Sequence, residues 1–235
     1  MTVKLYDKAN YNNKITLALD IELTEATGTT VKDISRFHNH GTFPGGANNP
    51  TWVQLANGTW VLSFNNNHWV NFGEPASLEP TTALTIWQWF YPTQTVATSR
   101  LLNRFNAVAS YTAYGMYHTT NVGVQMYTGG VLRETELFIH GGVTINTWVF
   151  AAATYDGSKI ITYVKVGSGP LQVSAPFIAS GVLSYLGVEN VRFGRFSSAT
   201  QNFTGYLGGC GLLGIAWTER EIRDKILATQ GRFGL

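Results

Sequence analysis

Charge is what this 235-residue chain has least of: charged residues make up 13% of it, about half the share of an average soluble domain. With 16 Lys and Arg against 14 Asp and Glu, the formal charge is +2 and no basic run exceeds two residues. Nucleic acid, whose binding needs a surplus of phosphate-neutralising cations, is not an expected partner. A single cysteine, Cys210, excludes an internal disulfide, and its Gly/Leu surroundings read as a buried strand. No segment approaches 18 consecutive apolar residues, so no membrane span is expected. The opening MTVKLYDKANYNNKITLALD has no basic start followed by an apolar run, so no signal peptide is read there. The expected route to an outside surface is therefore assembly or lysis.

In place of charge stand 44% hydrophobic residues, 25 glycines and 13% aromatics, enough for a large core and incompatible with disorder. Alternating or β-branched and aromatic runs recur at short spacing, among them Thr59–Phe64, Ala83–Tyr91, Ser99–Val108, Val122–Tyr127, Thr147–Tyr155, Lys159–Val166 and Gly205–Leu213. Asn57-Gly58 and Asp156-Gly157 mark hairpins, the first read as a type I′ turn. Helical periodicity between the runs is missing, which disfavours βαβ folds and predicts an all-β, antiparallel architecture. One helix is expected, where Thr218-Glu219-Arg220-Glu221 forms a capping box. Ile222, Ile226 and Leu227 would be its apolar stripe and Gly231 its C-terminal glycine. Residues 1–15 read as an N-terminal arm and 16–235 as a single β-sandwich domain.

Several clusters could carry chemistry. Asp20, Glu22 and Glu25 have the spacing, two then three, of the acids in jelly-roll glucanases, although the order of Asp and Glu differs. Asp33, His38 and His40 offer a His-x-His pair, but further metal ligands are not evident. Neither a nucleophile elbow nor a phosphate-binding glycine loop occurs. In Ala83–Tyr91 alternation puts Trp87 and Trp89 on one face, as a sugar platform or as a strand covered on both sides. The best exposed candidates are Asn65, Asn66, Asn67, His68 and Trp69, three amides before an aromatic pair at a loop, a composition suited to sugar hydroxyls and CH faces.

Five blocks together resemble laminin-G-like, concanavalin A-like domains. Thr29–Thr42 is similar to the family's opening GTTVxDSSGNGNHGT block, Leu78–Phe90 to its ALTIEAWVKP strand, and Asn146–Gly157 to its WTHVAATYDG hairpin. Arg192-Phe193-Gly194 is similar to its xIGR strand, and Gly205 through Ile222 to its GYIDEVRIYNRALSxEEI block. The resemblance implies a two-sheet antiparallel jelly-roll sandwich with one short C-terminal helix. Its relatives bind glycans or proteins, often with a structural calcium. Gly208-Gly209 replaces the acidic pair of that last block and Thr24 an early Asp, which leaves Glu25, Asp33 and backbone carbonyls as ligands for such a calcium; no other cofactor is implied.

These readings together predict a non-enzymatic, lectin-like structural or adhesion protein of a virion or extracellular surface, such as a capsid-decorating or tail-fibre protein. A homo-oligomer or larger assembly and a glycan are its expected partners. The alternatives are a free carbohydrate-binding lectin and, third, a glycoside hydrolase or lyase using Asp20, Glu22 and Glu25.

Overall fold

The computed structural model describes residues 16–94, 98–106, 111–137, 142–185, 189–195 and 201–235, so the expected arm at 1–15 lies outside the described residues. In chain order the strands are β1 (Leu17–Ile21), β2 (Thr30–Val31), β3 (Gly41–Thr42), β4 (Thr51–Gln54), β5 (Trp60–Asn65), β6 (Val70–Asn71), β7 (Leu84–Pro92), β8 (Ser99–Asn106), β9 (Tyr111–His118), β10 (Val122–Thr128), β11 (Val131–Leu137), β12 (Val149–Tyr155), β13 (Lys159–Val166), β14 (Leu171–Val173), β15 (Phe177–Ile178), β16 (Val191–Phe193) and β17 (Thr204–Leu213), followed by helix α1 (Glu219–Thr229). They form two antiparallel sheets. The first runs β14-β13-β12-β7-β17-β5-β4, with β1 also on β17 and β15 on β13; the second runs β11-β10-β9-β8-β16-β6-β3-β2. This is the jelly-roll sandwich with a C-terminal helix that the sequence implied.

Strand alternation explains how the layers stack. On β7, Leu84, Ile86 and Phe90 point between the sheets, where they meet Leu102, Tyr114, Met116, Val124 and Phe193 of the second sheet. The other face of β7 carries Trp87 and Trp89, and these enter a second core with Trp148, Phe150, Trp217, Ile222, Ile226 and Phe233. The first sheet is therefore covered on both faces, and Trp87 and Trp89 are core residues rather than a platform. Each fully buried large side chain of this kind contributes roughly 1.5–3 kcal/mol. Cys210 is buried, as its setting implied, and burial pushes its thiol well up, out of reactive range.

The capping box of α1 forms as expected: Thr218 Oγ1 accepts from the Glu221 amide, and Glu221 accepts from the Thr218 amide at 2.7 Å. Ile222 and Ile226 are buried, but Leu227 is 68% exposed. At 3.6 residues per turn Leu227 lies about 140° around the helix from Ile222, outside a stripe set by residues four apart. Nor does the chain stop at Gly231. A 3-10 turn, Gln230–Phe233, follows, and the left-handed residue is Gly234. That extra turn brings Phe233 onto Trp89 and Trp148, with ring centroids 4.8 and 4.3 Å away. The Phe233 ring fills the space beside Gly208, where a Cβ would meet it at 2.7 Å, which accounts for the loss of the family's acidic side chain there. The Asn57-Gly58 hairpin also differs from expectation: Gly58 alone of that pair has positive φ, and its amide returns to the Leu55 carbonyl, so the turn is not type I′.

Candidate functional site

The acids expected to work together are dispersed. β1 ends at Ile21, so the alternation that would align Asp20, Glu22 and Glu25 is cut short. Asp20 lies beneath α1, 3.8 Å from Lys225, whose ammonium sits 4.1 Å from the Trp87 ring centroid. Burial pushes the Asp20 carboxyl up, against the pull of Lys225. Glu22 is exposed, and Glu25 accepts from the Lys32 amide. This arrangement does not support a glucanase triad.

Asp33 is buried and holds a loop together. Its carboxylate accepts from the amides of Asp20, Ser35 and Asn39 at 2.8, 2.9 and 2.7 Å and from the Ser35 hydroxyl at 2.7 Å. Four donors occupy the four lone-pair sites of a carboxylate and leave none for a cation. His40 Nδ1 accepts from the Asp33 amide, so it too serves the loop. Among the described residues no group of three or more His, Cys, Asp or Glu is placed to hold a metal. Glu25 retains one buried unpartnered oxygen, far short of the six to eight oxygens that calcium takes. The residues present do not fit the calcium implied by the family resemblance.

The Asn65–Trp69 segment bends away after β5, with Asn66 at positive φ, and its side chains part. Asn65, Asn66 and Asn67 are exposed, while His68 turns inward toward Phe64, with Nδ1 3.2 Å from the Ser63 carbonyl, and takes no part in the surface. Trp69 faces outward and is half-buried, with the Arg192 and Arg195 guanidinium carbons 5.3 and 5.7 Å from its ring centroid.

Trp69 lies on the outer side of the second sheet, the side that α1 and the second core do not cover. Across neighbouring strands the outward positions are Glu134, Gln125, Gly115, Asn103, Arg192, Asn71 and Thr42 in register, of which Gly115 and Asn103, in the middle of the row, are buried. All are polar or glycine, whereas the inward positions of the same strands are largely apolar, the buried Arg104, His118 and Thr128 being among the exceptions. Toward β11 the face deepens into a cleft of about 210 Å³, lined by Thr98, Arg100, Tyr117, Thr119, Gln125, Glu134, Glu136 and Gln201.

A connected network floors the cleft. Arg100 donates to Gln201 Oε1 at 2.9 Å and to Gln125 Oε1 at 2.7 Å; Gln125 donates to Glu134 at 2.8 Å, and Tyr117 donates to the same carboxylate oxygen at 2.8 Å. Thr119 donates to Glu136 at 2.7 Å. Burial pulls the Arg100 guanidinium down to about 10, so it remains a cation at neutral pH. Burial and the bond to Glu134 raise Tyr117 far above its ordinary range, so its hydroxyl stays a donor. The Tyr117 ring lies over Gly123, where an added Cβ would fall 1.9 Å from it; glycine is what lets the ring lie down.

Sequence reading missed this cleft because its residues come from β8, β9, β10, β11 and the 201 region. The local signal on β11, Glu134-Thr135-Glu136 with both carboxylates on one face, was legible.

Chemically, the cleft pairs fixed donors with fixed acceptors in a small polar basin, the pattern that reads hydroxyl groups, each both donor and acceptor. A family profile of the concanavalin A-like lectin/glucanases superfamily matches residues 64–223. No curated protein matches the chain in sequence. Among solved structures the chain is similar to domain 4 of AbnA, an extracellular arabinanase from Geobacillus stearothermophilus, in complex with arabinotriose, with TM-score 0.67 and 11% identity over 89% of this chain and 97% of that one. It is also similar to the binding domain of botulinum neurotoxin serotype G, with TM-score 0.66 and 11% identity over 91% of this chain and 51% of that one. A third is a botulinum neurotoxin type C structure whose cell entry depends on two ganglioside molecules, with TM-score 0.65 and 10% identity over 93% and 52%. The chain thus spans about half the length of the neurotoxin structures it matches, and at these identities the likeness is one of fold. With that profile covering more than half of its length and its two sheets in jelly-roll arrangement, the chain belongs to the concanavalin A-like lectin/glucanases superfamily.

Proposed function

We propose that the protein is a non-catalytic, lectin-like module that binds saccharide on the open face of its second sheet and serves as an adhesion or structural component of an extracellular or virion surface. One observation carries the reading. The fold seals the outer face of the first sheet under α1 and Phe233, and leaves on the second sheet a cleft whose Arg100, Gln125, Glu134 and Tyr117 are already locked together. Preorganised polar groups lose little entropy on meeting a ligand, which is how small clefts gain affinity. The arabinanase domain in complex with arabinotriose supports a saccharide in particular, because the likeness covers nearly all of that domain. The neurotoxin structures support the binding class only, since half of each lies outside the match. Low surface charge supports a place in an assembly, where neighbouring subunits take over part of the solvent-facing surface.

The test is a glycan array followed by titration calorimetry. Gln125→Ala and Tyr117→Phe should each weaken binding about tenfold, the value of one hydrogen bond near 1.4 kcal/mol, with little change in melting temperature. Unchanged affinity in both variants sinks the cleft as the site. Release of reducing ends from a polysaccharide panel, abolished by Glu134→Gln or Glu136→Gln, would replace the binding reading with a hydrolytic one. A mass-spectrometric inventory of the particle or culture fraction containing the protein tests its location.

A further inference from the structure

Beyond the cleft, the open face has a second concentration of charge. Arg192 leaves β16 on the outer side, Phe193 points into the core, and continued alternation would send Arg195 inward. Gly194 prevents this. At φ +82° it occupies the left-handed region, and a Cβ there would meet the Phe64 ring at 2.5 Å, so both backbone shape and space call for glycine. The reversal returns Arg195 to the side of Arg192, and both reach Trp69. Asn103, buried under the pair, fixes the bend by donating to the Arg195 carbonyl at 3.0 Å and the Arg192 carbonyl at 3.5 Å.

Neither guanidinium forms an ion pair with a carboxylate among the described residues. Glu189 acts on Arg192 through space without closing a salt bridge, and Arg195 opposes it. The indole N–H of Trp69 is buried with no partner among the described residues. Two cations held against one half-buried ring repel each other, and the arrangement is stabilised when an anion joins them. Guanidinium suits that anion when it is planar or multidentate, a carboxylate or a sulfate.

We propose that Arg192 and Arg195, held on Trp69, bind the anionic group of an acidic saccharide, either a sugar carboxylate or a sulfate ester. This rests on the reading of the open face as a saccharide surface and adds the charge class of its ligand. Gln125 and Arg192 occupy one row, separated by β9 and β8. Three strand spacings put them about 14 Å apart, within the span of an oligosaccharide, although Gly115 and Asn103 between them are buried and the two sites are separate patches. Two isolated arginines on a chain of charge +2 suit such a ligand better than the repeated phosphates of nucleic acid.

The experiment uses the full chain and calorimetry with three probes: heparin oligosaccharides (sulfated), oligogalacturonate (carboxylated) and a neutral arabino-oligosaccharide of matched length. At least one acidic probe should bind ten times or more tighter than the neutral one at low salt; tight binding of oligogalacturonate identifies the carboxylate, and tight binding of heparin with weak binding of oligogalacturonate identifies the sulfate, since heparin carries both groups. Arg192→Gln and Arg195→Gln should each remove most of that preference and flatten its salt dependence, leaving neutral binding unchanged. Arg192→Lys, which keeps the charge but not the fork, should fall between, and guards against misfolding of the Gln variants. If the acidic preference is absent in the parent protein or survives the Arg192→Gln/Arg195→Gln double variant, the site is refuted; the cleft reading then stands or falls on Gln125→Ala. Acidic binding lost in the arginine variants and untouched by Gln125→Ala keeps the anion site and overturns the cleft. Flat isotherms for all three probes overturn both.

Discussion

His118, on β9, points between the sheets, its ring stacked on Phe90 at 5.2 Å and edge-on to Phe203 at 5.6 Å. Nδ1 lies 3.1 Å from the Thr119 carbonyl, and Nε2 is buried without a partner among the described residues, an environment for neutral imidazole. Burial pulls its pKa from 6.5 down to about 4. The unfolded chain takes up this proton below pH 6.5 and the folded chain only near 4, so the stability present above 6.5 is lost as pH falls through that window, on the order of 3 kcal/mol in all. Urea midpoints measured from pH 7 to 4 should fall accordingly, and His118→Phe, which suits the aromatic wall, should reduce the slope; parallel pH profiles would show that His118 does not titrate this way. Gly123 makes a different residue-scale prediction. Gly123→Ala should displace the Tyr117 ring and cost at least tenfold in saccharide affinity while the sheet, by circular dichroism, persists. Retained affinity would mean that Tyr117 does not shape the cleft.

α1 separates local from tertiary effects within one element. Thr218→Ala removes the cap and should cost about 1 kcal/mol. Ile226→Ala opens a cavity over the first sheet, about 2–4 kcal/mol, whereas Leu227→Ala should change stability by less than about 0.5 kcal/mol. Thermal melts of the three, compared in one buffer, check the ranking. The helix was legible in the sequence because a capping box is written in four adjacent residues. Its buried phase was legible only in part, since exposure of Leu227 depends on where the sheet lies. Among strands, β7 announces itself as a β-branched and aromatic run buried on both faces, and β12 and β13 through the short hairpin that joins them. β9 does not. Tyr-Thr-Ala-Tyr-Gly-Met-Tyr-His has a glycine at its centre and aromatics on both faces, so it matches no period. The cleft was hidden with it: Arg100 and Tyr117 face each other only through the β8–β9 register, and the Gln125–Glu134 bond only through β10–β11. Trp69, by contrast, was found from composition alone, while the two arginines that define its surroundings come from β16 and its exit, more than a hundred residues along the chain.

At the scale of the molecule, the two outer faces have opposite fates, and Phe233 decides one of them. It packs on Trp89 and Trp148 and closes the second core. Phe233→Ala should cost about 3–5 kcal/mol and shift tryptophan emission to the red, whereas saccharide binding on the opposite sheet should survive in the fraction that remains folded. Loss of binding in that folded fraction would mean that the two faces are coupled. The place of β17 has a consequence in time. It sits in the middle of the first sheet, pairing with β7 on one side and with β5 and β1 on the other, yet it comes last in sequence among the described strands. β1 and β5, made early, have no central strand to join until the ribosome has released residues beyond Leu213. The first sheet closes only after β17 has emerged, by a step that joins β1 to a strand far along the sequence. Such long-range pairing is slow, in the range of milliseconds to seconds for sandwiches of this kind, and leaves unpaired strand edges exposed in the interval. The nascent chain spends its most aggregation-prone moments just before β17 arrives.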